Sequence, residues 1–247
     1  MVSLVISDAV QTLERELREI FGSRLQSLVV YGQRARPAHH APGGHGHAAP
    51  PTHTLAIVGA MTPEDLRACA LHVEAWHGAG LATPLLIADH EFEQSLDAFP
   101  IEFGAILADH AIVAGANPFA SLAVDPADLR RACEVQARSH LLHLREGFLE
   151  TRGRADALSV LVLQSAAAFA SLVTSIARLE GHSTDDAASA ARHVERILGT
   201  SGSAVADVTK LAGARDISSA DAERLFAPYL EAVTRIVRYV DGWNSGS

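Results

Sequence analysis

Cysteine and positive charge are scarce in this chain, and each shortage excludes a class of protein. The 247 residues contain two cysteines, Cys69 and Cys133, which lie too far apart for a CxxC metal pair and are too few for a disulfide framework. The formal net charge is -9, so the chain carries no strong nucleic-acid signal, because phosphate contacts need clustered Lys and Arg. Both cysteines occupy core-like helical positions and are predicted to be buried thiols.

Signals for secretion and for membrane insertion are also weak. Residues 1–6 lack the basic start and the long apolar stretch of a signal peptide. Residues 157–177 carry no charge and are long enough to span a bilayer, but Ser, Thr and Gln side chains interrupt their apolar stripe. Such a pattern favours the central helix of a bundle, since polar side chains penalise insertion. We therefore expect a cytoplasmic protein without a membrane span.

Short apolar runs alternate with capped helices in the first half of the chain. Residues 25–31, 55–58 and 85–87 are predicted strands, and a helix opened by Asp8 and Gln11 precedes the first of them. Thr62-Pro63-Glu64-Asp65 predicts a helix start between the second and third strands. The remaining apolar runs, residues 99–107 and 111–113, are predicted to add strand or irregular core. Residues 37–53 are rich in Gly, Pro and His and are predicted to form a long loop.

The pattern changes at Asp125, where Asp125-Pro126-Ala127-Asp128 is another helix start. Only helical periodicity follows, including a last helix in which Pro228 should cause a kink or reset the start. We therefore predict two domains: an α/β domain with a small mixed sheet over residues 1–124, and an all-α helical bundle over residues 125–247. The apolar stripe near the C-terminus fits either the core of the bundle or a homo-oligomer interface.

Several motifs resemble one superfamily. FGSRL at residues 21–25 leads into VVYGQRAR at residues 29–36, and DAFPIEF follows at residues 97–103. The helical half adds Leu129-Arg130, followed by Glu134, Arg138 and Arg145. These residues resemble nucleotidyltransferases of the DNA polymerase β-like superfamily, in which a strand precedes Tyr-Gly-Ser, a small residue and Arg. The resemblance covers nearly the whole chain and implies a nucleotidyltransferase-like fold.

The resemblance also implies a site and a reaction. In this superfamily two or three carboxylates hold divalent metals, usually Mg²⁺, which align the phosphates of an NTP. A Gly-Ser turn binds those phosphates, and the matching residues here are Gly32, Gln33, Arg34 and Arg36, with Gln33 in place of Ser. The paired carboxylate positions are occupied by Thr52 and Thr54, and no Asp or Glu occurs from residue 34 to residue 62. Thr is a weak ligand for Mg²⁺, so the resemblance implies a degenerate active site.

Other acidic residues and the histidines offer replacements for the missing carboxylates. Asp89 follows the third strand and fits either a third carboxylate or a helix cap, whereas Asp97 and Glu102 fit caps or ion pairs. His140 and His143 lie one turn apart on a helix and fit either a shared ligand or the protein surface. A third group of histidines could bind Zn²⁺, Ni²⁺ or Cu²⁺, although its spacing matches no zinc motif: His39, His40, His45, His47 and His53.

Three functions stay open at this point. The first is a catalytically degenerate nucleotidyltransferase-fold protein that binds a nucleotide-like ligand or a protein partner. The second is an active nucleotidyltransferase that moves an NMP group from an NTP to a small molecule through a rebuilt metal site. The third is a transition-metal-binding accessory protein that uses the His-rich loop, as opposed to a loop that binds no metal.

The metal-binding hypothesis makes a direct prediction. Zn²⁺ or Ni²⁺ should bind at least about tenfold more tightly to the natural chain than to a variant in which the loop imidazoles are removed, because imidazole nitrogens are their preferred ligands. The variant changes His39, His40, His45 and His47 to Ala. Isothermal titration calorimetry measures both affinities, and equal affinities would exclude the loop as the metal site.

Overall fold

A computed structural model describes residues 7–32, 51–182, 186–200 and 202–243. The chain divides into two compact units, Met1–Val124 and Asp125–Ser247, which are described one at a time. Part of the predicted site lies outside the described residues, and the roles predicted for it stay predictions: Gln33, Arg34, Arg36, His39, His40, His45 and His47.

The N-terminal unit contains a mixed four-stranded sheet with the order β3-β2-β1-β4. Its strands are β1 (Leu25–Tyr31), β2 (His53–Val58), β3 (Leu85–Ala88) and β4 (His110–Gly115). Strand β1 runs antiparallel to both β2 and β4, whereas β2 and β3 are parallel. The end of β1 therefore lies beside the starts of β2 and β4.

Helices cover both faces of this sheet. Alternate residues of a strand point to opposite faces, so each strand supplies side chains to two cores. On one face, Leu28 and Val30 share a core with α1 (Asp8–Phe21), α2 (Pro63–Ala70) and α3 (Val73–Gly78). On the other face, Val29 shares a core with α4 (Asp89–Ala98) and α5 (Pro100–Ala108). The strands read as continuous apolar runs because both of their faces are buried.

Three predicted boundaries differ from the structure. Residues 99–107 were expected to add strand or irregular core, but α5 occupies Pro100–Ala108, since a short apolar run fits either period and Pro favours the first helical position. The loop predicted over residues 37–53 ends earlier, because His53 pairs with Tyr31 and begins β2. The cap of α1 is Ser7, whose side chain accepts a hydrogen bond from the Val10 amide. Residues 111–113 lie within β4.

The predicted start of α2 is confirmed, and an ion pair ties it to the segment before β1. The Thr62 hydroxyl accepts from the Asp65 amide at 3.2 Å, and Asp65 accepts from the Thr62 amide at 2.8 Å. Arg24 donates two further hydrogen bonds to Asp65, at 2.6 and 2.8 Å. The Arg24 guanidinium, together with the Thr62 amide, holds the pKa of Asp65 well below its usual range.

The C-terminal unit is a helical bundle, as predicted. Its helices are α6 (Pro126–Glu150), α7 (Ala155–Leu179), α8 (Ala187–Ile197), α9 (Ala204–Lys210) and α10 (Ser219–Asp241). Helix α7 is long and apolar enough to cross a membrane by length and composition alone. It also contacts the other four helices of the unit, and 44% of its most apolar stretch is buried.

Two local predictions in the bundle concern Pro228 and the cysteine. Of the two effects expected of Pro228, a kink or a reset start, the reset does not occur, because α10 runs unbroken from Ser219 to Asp241 with the proline ring on its exposed side. Cys133, like Cys69 in the other unit, is a buried free thiol, as expected. Burial raises the pKa of the Cys133 thiol to about 12, so this group is neutral and unreactive.

The Asp65 network generates a stability prediction. Asp65→Asn keeps the shape but removes the charge that Arg24 contacts, so we expect the Tm at pH 7 to fall by about 5 °C. The pKa of Asp65 is lowered by folding, so its stabilisation is complete above the unfolded value of about 3.9 and is lost as the pH falls below it. Thermal melts followed by circular dichroism at pH 7 and pH 3.5 measure both effects. Asp97→Asn, an exposed change in the same unit, is the control, and an equal fall in both variants would contradict the prediction.

Candidate functional site at the end of strand β1

Three ring side chains lie side by side where β1 ends. Tyr31 pairs with His53 of β2 on one side and with His110 of β4 on the other. Directly opposed residues point to the same face of a sheet, so all three side chains share the face that carries α4 and α5. The ring centroids of Tyr31 and His53 are 5.7 Å apart, and the His110 ring lies 4.5 Å from that of Phe119.

The His110 ring is held in a single tautomer. Its Nδ1 atom lies 3.1 Å from the carbonyl oxygens of both Ile106 and Leu107. Carbonyl oxygens only accept hydrogen bonds, so Nδ1 carries the proton and Nε2 of the neutral ring keeps its lone pair. A histidine oriented in this way offers Nε2 as a hydrogen-bond acceptor or a metal ligand.

Gly32 makes the turn that follows β1, as the sequence suggests. Its φ angle is +83°, a backbone conformation that favours glycine over other residues. Its amide N–H donates to the carbonyl oxygen of Asp109 at 3.1 Å. The resemblance implies that amides of this turn bind phosphate, but the Gly32 amide is already hydrogen-bonded to the segment before β4.

The two positions at which the resemblance expects carboxylates do not face the three rings. Thr54 pairs with Val30 and is 1% exposed. Residues two apart in a strand point to the same face, so the Thr54 side chain points with Ala56 and Val58 towards α1. Its hydroxyl has no hydrogen-bond partner among the described residues. Thr52 pairs through its backbone with the segment around Leu81. Thr54 is therefore a core residue, and burying a charged carboxylate there would be strongly unfavourable.

The other acidic candidates do not replace the missing pair. Asp89 is the first residue of α4 and accepts a hydrogen bond from Gln26 at 3.2 Å. Gln26 lies near the start of β1, about 20 Å along the strand from Gly32, so the hypothesis that Asp89 is a third carboxylate is wrong. Asp97 and Glu102 are exposed on α4 and α5.

Asp109 is the acidic residue that does reach the Gly32 end of the sheet. Sequence reasoning missed it together with Tyr31 and His110. Tyr31 was part of the quoted motif without a role, and the only signal for Asp109 and His110 was the strand at residues 111–113, whose pairing partner cannot be identified from local periodicity. Among the described residues, no group of three or more His, Cys, Asp or Glu is placed to hold a metal ion.

His140 and His143, in the C-terminal unit, do not share a ligand. His140 Nε2 lies 2.6 Å from the Tyr229 hydroxyl, which donates to the Ser165 hydroxyl at 3.1 Å. His143 lies at the surface, 3.3 Å from Glu146. Burial, and secondarily the charge of His143, lowers the pKa of His140 to about 4. The His140 network links α6, α7 and α10 and acts in stability.

No known family model matches the chain, and no curated protein matches it either.

The buried network generates a pH-dependent prediction. Tyr229→Phe removes the hydroxyl between His140 and Ser165, so we expect the free energy of unfolding to fall by about 1–3 kcal/mol.

Folding lowers the pKa of His140 from about 6.5 in the unfolded chain, so its neutral form favours the folded state and stability falls as the pH drops from about 6.5 towards 4.

Urea unfolding at pH 7.5 and pH 5 measures both effects. His140→Gln cannot titrate, so its loss of stability between the two pH values should be smaller than that of the natural chain. His90→Gln, which removes an exposed histidine of the N-terminal unit, is the control. An unchanged pH dependence in His140→Gln would show that another group causes it.

Proposed function

We propose that the N-terminal unit is a nucleotidyltransferase-like domain that has lost metal-dependent transfer and binds a nucleotide-like ligand at the end of β1. The order of elements supports the likeness: a helix, a strand, a glycine turn, a second strand, a capped helix and a third strand. The pairing of β1 with β2 also supports it, because it sets the Gly32 turn beside the strand that should carry the carboxylates.

Loss of transfer follows from the position of Thr54. Phosphoryl transfer in this superfamily needs metal-bound carboxylates beside the phosphates. Thr54 is neutral, buried, and turned towards the core that contains α1. Asp89 lies at the opposite end of the sheet. A two-metal centre therefore has no paired carboxylates at the expected positions.

One observation supports ligand binding: Tyr31, His53 and His110 form a row at the end of β1. His53 is exposed, and the other two rings are half-buried. Nucleobases stack on aromatic and imidazole rings, and Nε2 of His110 can accept a hydrogen bond from a base or a ribose hydroxyl. Burial raises the pKa of Tyr31, so its hydroxyl stays protonated and able to donate.

A binding experiment tests this proposal. ATP, GTP, CTP and UTP are titrated separately into the protein by calorimetry, with and without Mg²⁺, and we expect at least one to bind in both conditions. His53→Ala should weaken that binding about fivefold or more, since one stacked base contributes at least about 1 kcal/mol. His53 is exposed, so its loss should leave the fold intact.

His90→Ala is the matched control, because His90 is exposed on α4 near the opposite end of the sheet. Failure of all four nucleotides to bind, or equal affinity in His53→Ala and the natural chain, would overturn the proposed site. Release of pyrophosphate from any NTP in the presence of Mg²⁺ or Mn²⁺ would instead support the active-enzyme alternative.

A further inference from the structure

Helix α6 presents an apolar stripe on its outer side. Val135, Leu142 and Leu149 are 65%, 62% and 76% exposed, and each is seven residues from the next. Seven residues are nearly two helical turns, so the three side chains line up over about 21 Å. Single exposed apolar residues are common, but an aligned set of large ones marks an interaction surface.

Arginines follow the stripe with the same spacing. Arg131, Arg138 and Arg145 each lie four residues before one of the exposed apolar residues. Arg131 pairs with Asp128 at 3.2 Å, and Arg138 pairs with Glu134 at 3.0 Å. Arg145 has no ion pair or hydrogen bond among the described residues, so its charge is available to a partner.

A groove of about 650 Å³ between α6 and α10 is lined by Arg145 of α6, and its other charged residues are Arg235, Arg238 and Glu231 of α10. Phe148 stacks on Phe226 in its wall, with ring centroids 4.4 Å apart. Phe148 is 42% exposed because it faces this groove. Arg238, on the α10 side, is exposed and has no side-chain ion pair or hydrogen bond within the described part of the chain.

The stripe and the groove form one continuous surface. Side chains three residues apart on an α-helix point in directions that differ by about 60°. Arg145 therefore lies between Leu142 and Phe148 on α6. We call this the α6–α10 surface, and its members are Val135, Leu142, Arg145, Leu149, Phe148 and Arg238.

We infer that the α6–α10 surface binds an acidic, amphipathic helical segment of another protein. An apolar face on such a segment would cover the leucines and Phe148, as in helix-in-groove recognition. Carboxylates on its flanks would pair with Arg145 and Arg238, which have no acidic partner of their own. This inference concerns the C-terminal unit and is independent of the nucleotide-like site proposed for the N-terminal unit.

The chemistry of the surface argues against other occupants. A small molecule would fill the groove but would leave the stripe, which extends for about 21 Å along α6, uncovered. A nucleic acid would satisfy the arginines but would leave the row of leucines uncovered. A second copy placed symmetrically would present the same patch, whose members include two arginines and no carboxylate, so Arg145 and Arg238 would gain no acidic partner.

A defined peptide tests the inference. The probe is a fluorescein-labelled, helix-forming peptide of three heptads, with leucine on one face and glutamate on both flanks, added to the full-length chain. We expect saturable binding in fluorescence anisotropy that weakens as salt increases. The double change Arg145→Glu and Arg238→Glu should weaken binding more than about tenfold, and Leu142→Ser should also weaken it.

Two controls make the result decisive. The same peptide with lysine in place of glutamate should not bind, and the charge reversal Arg215→Glu, at an exposed site outside the α6–α10 surface, should leave binding unchanged. No binding of the acidic peptide, equal binding of the basic peptide, or no effect of the double change would overturn the inference. Analytical ultracentrifugation without peptide provides a further test. A dimer that Leu142→Ser dissociates would assign the surface to a second copy and overturn it too.

Discussion

Strand β1 is paired on both sides, and the N-terminal unit depends on that double pairing. Its hydrogen bonds to β2 and β4 leave no free edge, and its side chains supply both cores. The register that satisfies these bonds also decides which residues meet. A shift of one residue would turn every side chain of the strand to the other face. The register that buries the two cores therefore also brings Tyr31, His53 and His110 into one row.

The same constraint explains why a carboxylate does not fit at the position of Thr54. Thr54 and Leu55 point to opposite faces of β2, and the face of Thr54 is filled by the helices that pack on Ala56 and Val58. A neutral, small side chain is tolerated at such a position even with an unpaired hydroxyl, whereas a carboxylate would need a metal or a cation beside it. The accessible polar groups of the sheet lie on the opposite face, where imidazole and phenol side chains are partly exposed.

In the C-terminal unit, one apolar helix, α7, contacts the four others. Each neighbouring helix buries one side against the bundle and keeps the other for solvent or partners. On α6 the buried side carries Cys133, Ala137 and Leu141, and the outer side carries Val135 and Leu142. Apolar residues on both sides of one helix blur its periodicity. This is why the outer stripe was not recognised as a surface from the sequence.

The sequence by itself determined the strands at residues 25–31 and 55–58, the Thr62 cap, the buried thiols and the change to helices at Asp125. These features follow from interactions between residues close together in the chain, namely caps, periodicity and turn geometry. Only the tertiary structure decided that residues 100–108 are helical, that Thr54 faces the core, that Asp89 lies far from Gly32, and that His110 joins Tyr31 and His53. The helix at residues 100–108 was undecided because a short apolar run fits either period. The other three features depend on strand pairing between segments distant in sequence, and local patterns carry no information about which strands become neighbours.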